Sequence, residues 1–260
     1  MHCLPSPAVF LPAVRHLARQ AGEAVLSVYH SAFSVMTKTD DSPVTEADQI
    51  AERLIVEGLQ RLTCDIPVVA EESITARWPL EAPDSPFWLV DPLDGTEDFI
   101  QHNDEFTINI ALIQKQRPVL GVIYVPVYEH LYAAVKQGTA MVERAGIANP
   151  ICVRVPPAHD VVVVASRTHG DPALLEAFLH SRQAQCVIRA SSSLKLCLVA
   201  AGKADFYPRF GKTMEWDTAA GHAILNAAGG RVCTTSGEEL HYGKPGFGNP
   251  NFIACGAAPC

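Results

Sequence analysis

The run Trp88-Leu89-Val90-Asp91-Pro92-Leu93-Asp94-Gly95-Thr96-Glu97-Asp98-Phe99 carries an apolar strand straight into a group of carboxylates. The spacing predicts a buried strand over residues 87–90 leading to Asp91, a turn at Pro92, and a short helix opened by Gly95 and Thr96. Asp91 and Asp94 then share one tight turn at a strand tip. Two carboxylates held this close repel unless a cation lies between them. Oxygen-only ligands suit Mg²⁺, which binds through a few carboxylates together with water and substrate phosphate. The N–H groups of Gly95 and Thr96 face the same spot and can cradle a phosphate.

A bare Asp-Gly-Thr is explained equally well as an ordinary turn, with Asp98 a charge at a helix start. Three further features shift that balance. Glu71-Glu72 follows Val68-Val69, again placing carboxylates at a strand tip. Asp217 stands at the start of an apolar helix, where an N-cap is the plain explanation. Asp48 lies in the first turn of another helix, where the helix dipole is the plain explanation. Each alone is weak, and together they make a pattern.

The chain has 260 residues, enough for one large domain or two small intimate ones. With 48% apolar and 18% charged residues it is outside the disordered range. A chain of this size buries about 70–75% of its unfolded surface and needs no disulfide or structural metal to fold. Its 20 Lys+Arg against 28 Asp+Glu leave a net charge of -8 with no basic run, which excludes binding along a nucleic-acid backbone. The eight cysteines are scattered without a CxxC pair, which argues against zinc, and several fall in apolar stretches as small core residues. The first residues lack a positive region and are broken by Pro5, Pro7 and Pro12, unlike a signal peptide. No run reaches about eighteen uncharged apolar residues, so no transmembrane helix is expected. The expected compartment is the cytoplasm.

Periodicity predicts a helix over residues 13–29, a second from Thr45 with a capping-box start (Thr45-Glu46-Ala47-Asp48), and a short strand over 67–70. A strand meander follows over 107–113, 119–125 and 131–136. After about residue 150, strands (161–165, 185–189, 204–207) alternate with helices (172–180, 193–201, 218–228). The expected organisation is two intimate lobes: residues 1–150 as an α+β lobe with an antiparallel sheet and most metal ligands, and 151–260 as an α/β lobe with Asp217.

Glu71-Glu72-Ser73, Asp91-Pro92-Leu93-Asp94-Gly95-Thr96 and Trp216-Asp217-Thr218-Ala219-Ala220-Gly221 together resemble, in order and spacing, the signature segments of the inositol monophosphatase superfamily. The segments Asp40-Asp41-Ser42-Pro43-Val44-Thr45-Glu46-Ala47-Asp48 and Tyr207-Pro208-Arg209-Phe210-Gly211 are similar to its bacterial 3'(2'),5'-bisphosphate nucleotidases. The resemblance implies an α/β fold, an α/β/α/β/α sandwich of the sugar-phosphatase type, and an Mg²⁺-dependent phosphatase with two or three ions. Carried over by position, Glu71, Asp91 and the Leu93 carbonyl would hold one Mg²⁺, and Asp91, Asp94 and Asp217 a second. Thr96, supported by Asp48, would orient the attacking water, and Asp40 matches the acidic residue of the nucleotidases' D-x-S-P-V-T segment. Two metals about 3.5–4 Å apart can activate water and stabilise the leaving oxygen of an in-line displacement.

Ser191-Ser192-Ser193-Leu194-Lys195 follows a strand and opens a helix, so hydroxyls, N–H groups and one lysine can clamp an anion there. A serine-rich cap beside a surface lysine explains the residues equally well. In the nucleotidases a G-S-S-L-K-like segment takes the phosphate that is not cleaved; Ser191 stands here where that pattern has glycine. Arg209 would be a second anchor, although an ordinary surface arginine reads the same. His169 could stack on a purine, although a lone loop histidine is more often solvated. The set of substrate contacts implied by the resemblance is Glu71, Leu93, Asp94, Gly95, Thr96, Ser192, Ser193, Lys195, Arg209, Asp217 and His169.

The resulting expectation is hydrolysis of adenosine 3'(2'),5'-bisphosphate to AMP and phosphate, in support of sulfate assimilation, with lithium sensitivity. Attachment at the cytoplasmic face of an inner membrane rests on the resemblance alone, and both monomer and homodimer stay open. The competing readings are an inositol-1-monophosphatase or other small sugar-phosphate phosphatase, and a nucleotide-sensing binding protein. An aspartyl-phosphate phosphatase is excluded, because that class uses Asp-x-Asp and here Pro92 stands two before Asp94. Asp48, Glu71, Asp91, Asp94 and Asp217 carry five of the chain's carboxylate charges. Two or three Mg²⁺ would turn that cluster into an anion-binding site, so the acidic balance does not exclude a small polyanion.

Overall fold

The computed structural model describes residues 5–37, 43–73, 84–136, 138–157 and 159–257. Helix α1 (Leu11–Tyr29) starts two residues before the expected position, with Pro12 in its first turn, where a missing N–H costs nothing. Its buried face is Val14, Ala18, Ala21, Val25 and Val28. Strands β1 (Val35–Thr37) and β2 (Pro43–Thr45) form an antiparallel pair that was not anticipated. β2 feeds α2 (Glu46–Leu62), whose start is a capping box built from Thr45 and Asp48. α1 and α2 pack closely at Gly58, where any side chain would strike Leu17.

Strand β3 (Val68–Ala70) is parallel to β4 (Phe87–Asp94), whose four residues Phe87 to Val90 are buried on both faces. The expectation of a strand ending before Pro92 is corrected here. The register shifts between Asp91 and Asp94, so a bulge absorbs Pro92 and Leu93 and pairing resumes at Asp94–Thr107. Gly95, at φ 97, then leads into α3 (Thr96–Ile100), a left-handed position that favours glycine. The meander β5 (Thr107–Gln114), β6 (Arg117–Val125) and β7 (His130–Ala134) continues into β8 (Met141–Arg144) and β9 (Ile147–Pro150). The last hairpin turns at Ala145-Gly146, both at positive φ. The seven strands lie in the order β3-β4-β5-β6-β7-β8-β9.

The rest of the chain alternates β10 (Val161–Ser166), α4 (Pro172–Ser181), β11 (Ala184–Ala190), α5 (Leu194–Ala200), β12 (Phe206–Arg209) and α6 (Glu215–Ala227). β12 begins two residues later than its pattern suggests. Asp205 is fully buried at its entrance, bonded to the Val162 N–H and to Arg154. α6 begins three residues earlier than expected, so Asp217 is not an N-cap. β13 (Arg231–Thr234) and β14 (Phe252–Cys255) complete a second sheet in the order β11-β10-β12-β14-β13.

The layers follow from alternation along β4. Trp88 and Val90 pack with Val14, Ala21 and Ile55 of α1 and α2, whereas Phe87 and Leu89 pack with Leu196, Ala220 and Ile224 of α5 and α6. Val161, Val163 and Phe206 on the outer face of the second sheet pack against Phe178 of α4. The architecture is therefore an α/β/α/β/α sandwich. Among the described residues, no helix is long and apolar enough to cross a membrane. Cys197 and Cys233 are buried as expected, whereas Cys64, Cys152 and Cys186 are exposed thiols.

Candidate active site

The site lies where the ends of β3 and β4 meet the N-termini of α2, α5 and α6. The Glu71 N–H donates to the Val90 carbonyl across 3.2 Å, which keeps Glu71 beside Asp91 at the sheet edge. Behind it, Glu52 of α2 accepts the Glu72 N–H at 2.7 Å. Asp91 accepts the Leu93 N–H at 3.1 Å across the bulge. Asp217, at the third position of α6, accepts the Met214 N–H at 2.8 Å. One oxygen from each of Glu71, Asp91 and Asp217 lies within 4.8 Å of the others. Ligands about 2.1 Å from one Mg²⁺ span up to about 4.2 Å, so oxygens grouped this closely fit one ion after a small contraction, or two neighbouring ions that share Asp91. Burial first, then Glu71, Asp94 and Asp217, drives the Asp91 carboxyl far above its ordinary range. Burial and Asp94 do the same to Asp217. A cluster that resists its own ionisation requires a cation or protons.

Asp94 is oriented differently. Its Oδ2 accepts the Ser193 N–H at 2.6 Å and an Asn109 amide hydrogen at 3.4 Å. Asp94 lies outside the triad of closely grouped oxygens, although it is near enough to raise the pKa of both neighbouring aspartates. Its own carboxyl is raised by burial, against which Lys195 and Ser193 pull down.

The Thr96 hydroxyl is shared between Asp48 Oδ1 at 3.2 Å and the Leu93 carbonyl at 3.3 Å. Asp48 is 1% exposed and its Oδ2 accepts both the N–H and the hydroxyl of Thr45, each at 2.7 Å. The capping box thus serves a second purpose, fixing a carboxylate behind Thr96. Asp40 lies outside the described residues.

Thr96, Gly95, the carboxylate triad and Asp94 line a cavity of about 370 Å³. Its opposite wall includes Ser192, Ser193, Lys195, Arg209 and His169. Ser192 sits at φ 51, and its buried hydroxyl has no hydrogen-bond partner among the described residues. Ser191 is not in the left-handed region, so a side chain where the related pattern has glycine carries no backbone strain. Lys195 is buried, donates to the Ser192 carbonyl at 2.5 Å, and has its ammonium 5.4 Å from the Tyr207 ring centre. Burial lowers its pKa to about 8, with Asp94 opposing. Arg209 is braced by the carbonyls of His169 and Lys212, both at 3.0 Å, while its buried Nε lacks a partner among the described residues. His169 is more exposed, with its ring 3.7 Å from Glu97 across the mouth.

The chain matches the model of the inositol monophosphatase family over residues 7–256.

The chain belongs to the inositol monophosphatase family.

This is a metal-dependent family, in keeping with the carboxylate triad. The chain is 48% identical over 245 residues to the 3'(2'),5'-bisphosphate nucleotidase CysQ of Salmonella typhimurium, covering 93% of this chain and 98% of that protein. Against the protein of the same name from Escherichia coli strain K12 the identity is 46%, with the same coverage. These matches place it in the CysQ-type branch. The crystal structure of CysQ from Bacteroides thetaiotaomicron superposes with a TM-score of 0.80 at 39% identity, covering 95% of this chain and 97% of that one. An inositol monophosphatase from Thermotoga maritima gives 0.75 at 26% identity, covering 94% and 90%.

Sequence reasoning passed over Asn109 and Thr107. Asn109 Oδ1 accepts the Ser193 hydroxyl at 2.7 Å, and Thr107 lies 2.7 Å from the same hydroxyl. The available signal was a buried asparagine in the otherwise apolar run Ile108 to Ile113, since a polar group there must find partners.

Proposed function

We propose that the protein is a 3'(2'),5'-bisphosphate nucleotidase that removes the 3'-phosphate of adenosine 3',5'-bisphosphate, giving AMP and phosphate. The observation that carries this reading is the pair of buried donors without a partner among the described residues, Ser192 Oγ and Arg209 Nε, in one cavity with buried Lys195 and the carboxylate triad. An inositol monophosphate has one phosphate for the carboxylate end and only neutral hydroxyls for these donors. A nucleoside bisphosphate supplies an anion to each.

Glu71, Asp91 and the Leu93 carbonyl would hold one Mg²⁺, and Asp91, Asp94 and Asp217 a second. When bound, Mg²⁺ supplies Lewis-acid activation of water and neutralises charge at the leaving oxygen. Asp48 takes the Thr96 hydroxyl hydrogen, so Thr96 Oγ1 turns its lone pairs toward the cavity and orients the attacking water through its hydrogen. The Ser192 hydroxyl, Lys195 and Arg209 clamp the uncleaved phosphate. His169, at the rim, offers its ring to the base.

The test is turnover of purified protein with Mg²⁺ on adenosine 3',5'-bisphosphate, inositol-1-phosphate and fructose bisphosphate. A clear preference for either of the last two overturns the reading. Binding of the nucleotide without turnover points instead to a nucleotide sensor.

A further inference from the structure

Glu105 does not line the catalytic cavity, yet it touches both sides of it. It sits in the loop between α3 and β5. Its Oε2 accepts the Ser191 N–H at 2.9 Å, at the start of the serine turn. Arg167, just beyond β10, grips the same carboxylate with Nη2 to Oε1 at 2.6 Å and Nε to Oε2 at 3.3 Å. The Glu105 backbone is itself packed on the metal loop, with its carbonyl 3.2 Å from the place a Cβ on Gly95 would occupy. The preceding residue, Asp104, is held at φ 63 by Tyr29, whose hydroxyl donates to Asp104 Oδ1 at 2.7 Å and accepts its N–H at 3.3 Å. Glu105 is therefore a fixed arm. Its side chain is largely buried, while that of Arg167 is exposed.

The serine turn has two such attachments. Ser191 gives its N–H to Glu105, and Ser193 gives its N–H to Asp94 at 2.6 Å. Between them Ser192 adopts its left-handed conformation with its hydroxyl unpaired among the described residues. Two carboxylates of the first sheet's loops thus hold alternate N–H groups of one turn from the second half of the chain. The distance from the carboxylate centre to the Ser192–Lys195 anion site is set by this pair. Asp94 is committed to the metal side, which leaves Glu105 as the part of the ruler free of the chemistry.

We propose that Glu105 is a positioning residue that spaces the second-phosphate site from the carboxylate centre and so sets the preference for a bisphosphate over a monophosphate. This rests on the reading that Ser192, Lys195 and Arg209 take the uncleaved phosphate.

The test compares adenosine 3',5'-bisphosphate with 3'-AMP, which carries the cleaved phosphate but lacks the second one, using full-length protein with Mg²⁺. Glu105→Ala is expected to raise KM for the bisphosphate about tenfold, the scale of one lost charge-assisted contact, with kcat held within about twofold. KM for 3'-AMP stays at its original value. Glu105→Gln, which keeps an acceptor for Ser191, recovers part of the loss. Arg167→Ala removes only the ion pair and moves KM in the same direction by less, which provides a measurement if Glu105→Ala folds poorly. Equal losses on both substrates, or no change on either, overturn the proposal while leaving the nucleotidase reading intact. Wild-type protein with no preference for the bisphosphate over 3'-AMP overturns both.

Discussion

The backbone N–H of Ser193 meets Asp94 Oδ2 at 2.6 Å, joining the turn that opens α5 to a carboxylate at the end of β4. A residue expected to hold metal also holds the serine turn in the wall of the cavity. Asp94→Asn keeps an acceptor for Ser193 and removes one charge from a buried, mutually repelling set. Activity with Mg²⁺ should fall by at least about 10²-fold, the scale of losing one preorganised electrostatic group. The metal-free protein should melt no lower than wild type, since repulsion on Asp91 and Asp217 is relieved. Retained turnover would remove Asp94 from the ligand set.

Thr96 and Asp48 separate catalysis from stability. Thr96→Ala deletes the hydroxyl between Asp48 and Leu93 and should reduce kcat by about 10²-fold or more, with little change in melting. Asp48→Asn also weakens the capping box at Thr45, so it should lose activity and about 1 kcal/mol of stability. The double variant should be scarcely slower than either single one, because the two side chains act as a unit. Additive rate losses would separate their roles.

The parts of this site legible in the chain were those written locally. Carboxylates at the tips of apolar runs, at Glu71 and Asp91, need only strand periodicity to be placed. Asp48 and Asp217 read as helix-start charges, and both do accept N–H groups there. Their convergence with Glu71 and Thr96 came from the family resemblance, because no periodicity spans the intervening chain. Pro92 misled, since a bulge lets the strand continue past it. β13 and β14 are four-residue strands paired with each other and, through β14, with β12, so most of their signal is tertiary. Glu105 has no local signature, as its partners lie 62 and 86 positions away.

The same repulsion makes metal binding depend on pH. Asp91 and Asp217 have folded-state pKa values raised above those of the unfolded chain. Their contribution to stability is therefore full at pH below the unfolded carboxylate range and is lost as pH rises through the folded values. Mg²⁺ binds the ionised form and reverses the loss. The rise in melting temperature produced by Mg²⁺ should grow from pH 5 to pH 8, and calorimetry in buffers of different ionisation enthalpy should register protons released on binding. A metal-induced shift that is flat in pH would contradict the assigned cluster.

His222 acts in the opposite sense. It is fully buried on α6, bonded through Nδ1 to the Tyr242 hydroxyl at 2.9 Å, with Nε2 left unpartnered among the described residues and 3.9 Å from Glu239. Burial lowers its pKa from 6.5 to about 4; Glu239 pulls upward, while Arg117 and His241 push down. A depressed histidine means that the unfolded chain binds a proton the folded chain refuses. Stability is full above pH about 6.5 and is lost as pH falls toward about 4, by roughly 2 kcal/mol between pH 7 and 5. His222→Gln, which does not titrate, should remove that share, changing the difference in stability between pH 7 and 5 by roughly 2 kcal/mol even if it lowers stability at pH 7. The measurement is urea unfolding of both proteins, in the presence of chelator, at the two pH values. An unchanged slope in the variant would mean that His222 binds its proton equally well folded and unfolded, and a change of opposite sign would mean that it is protonated in the fold with Glu239 as counter-ion.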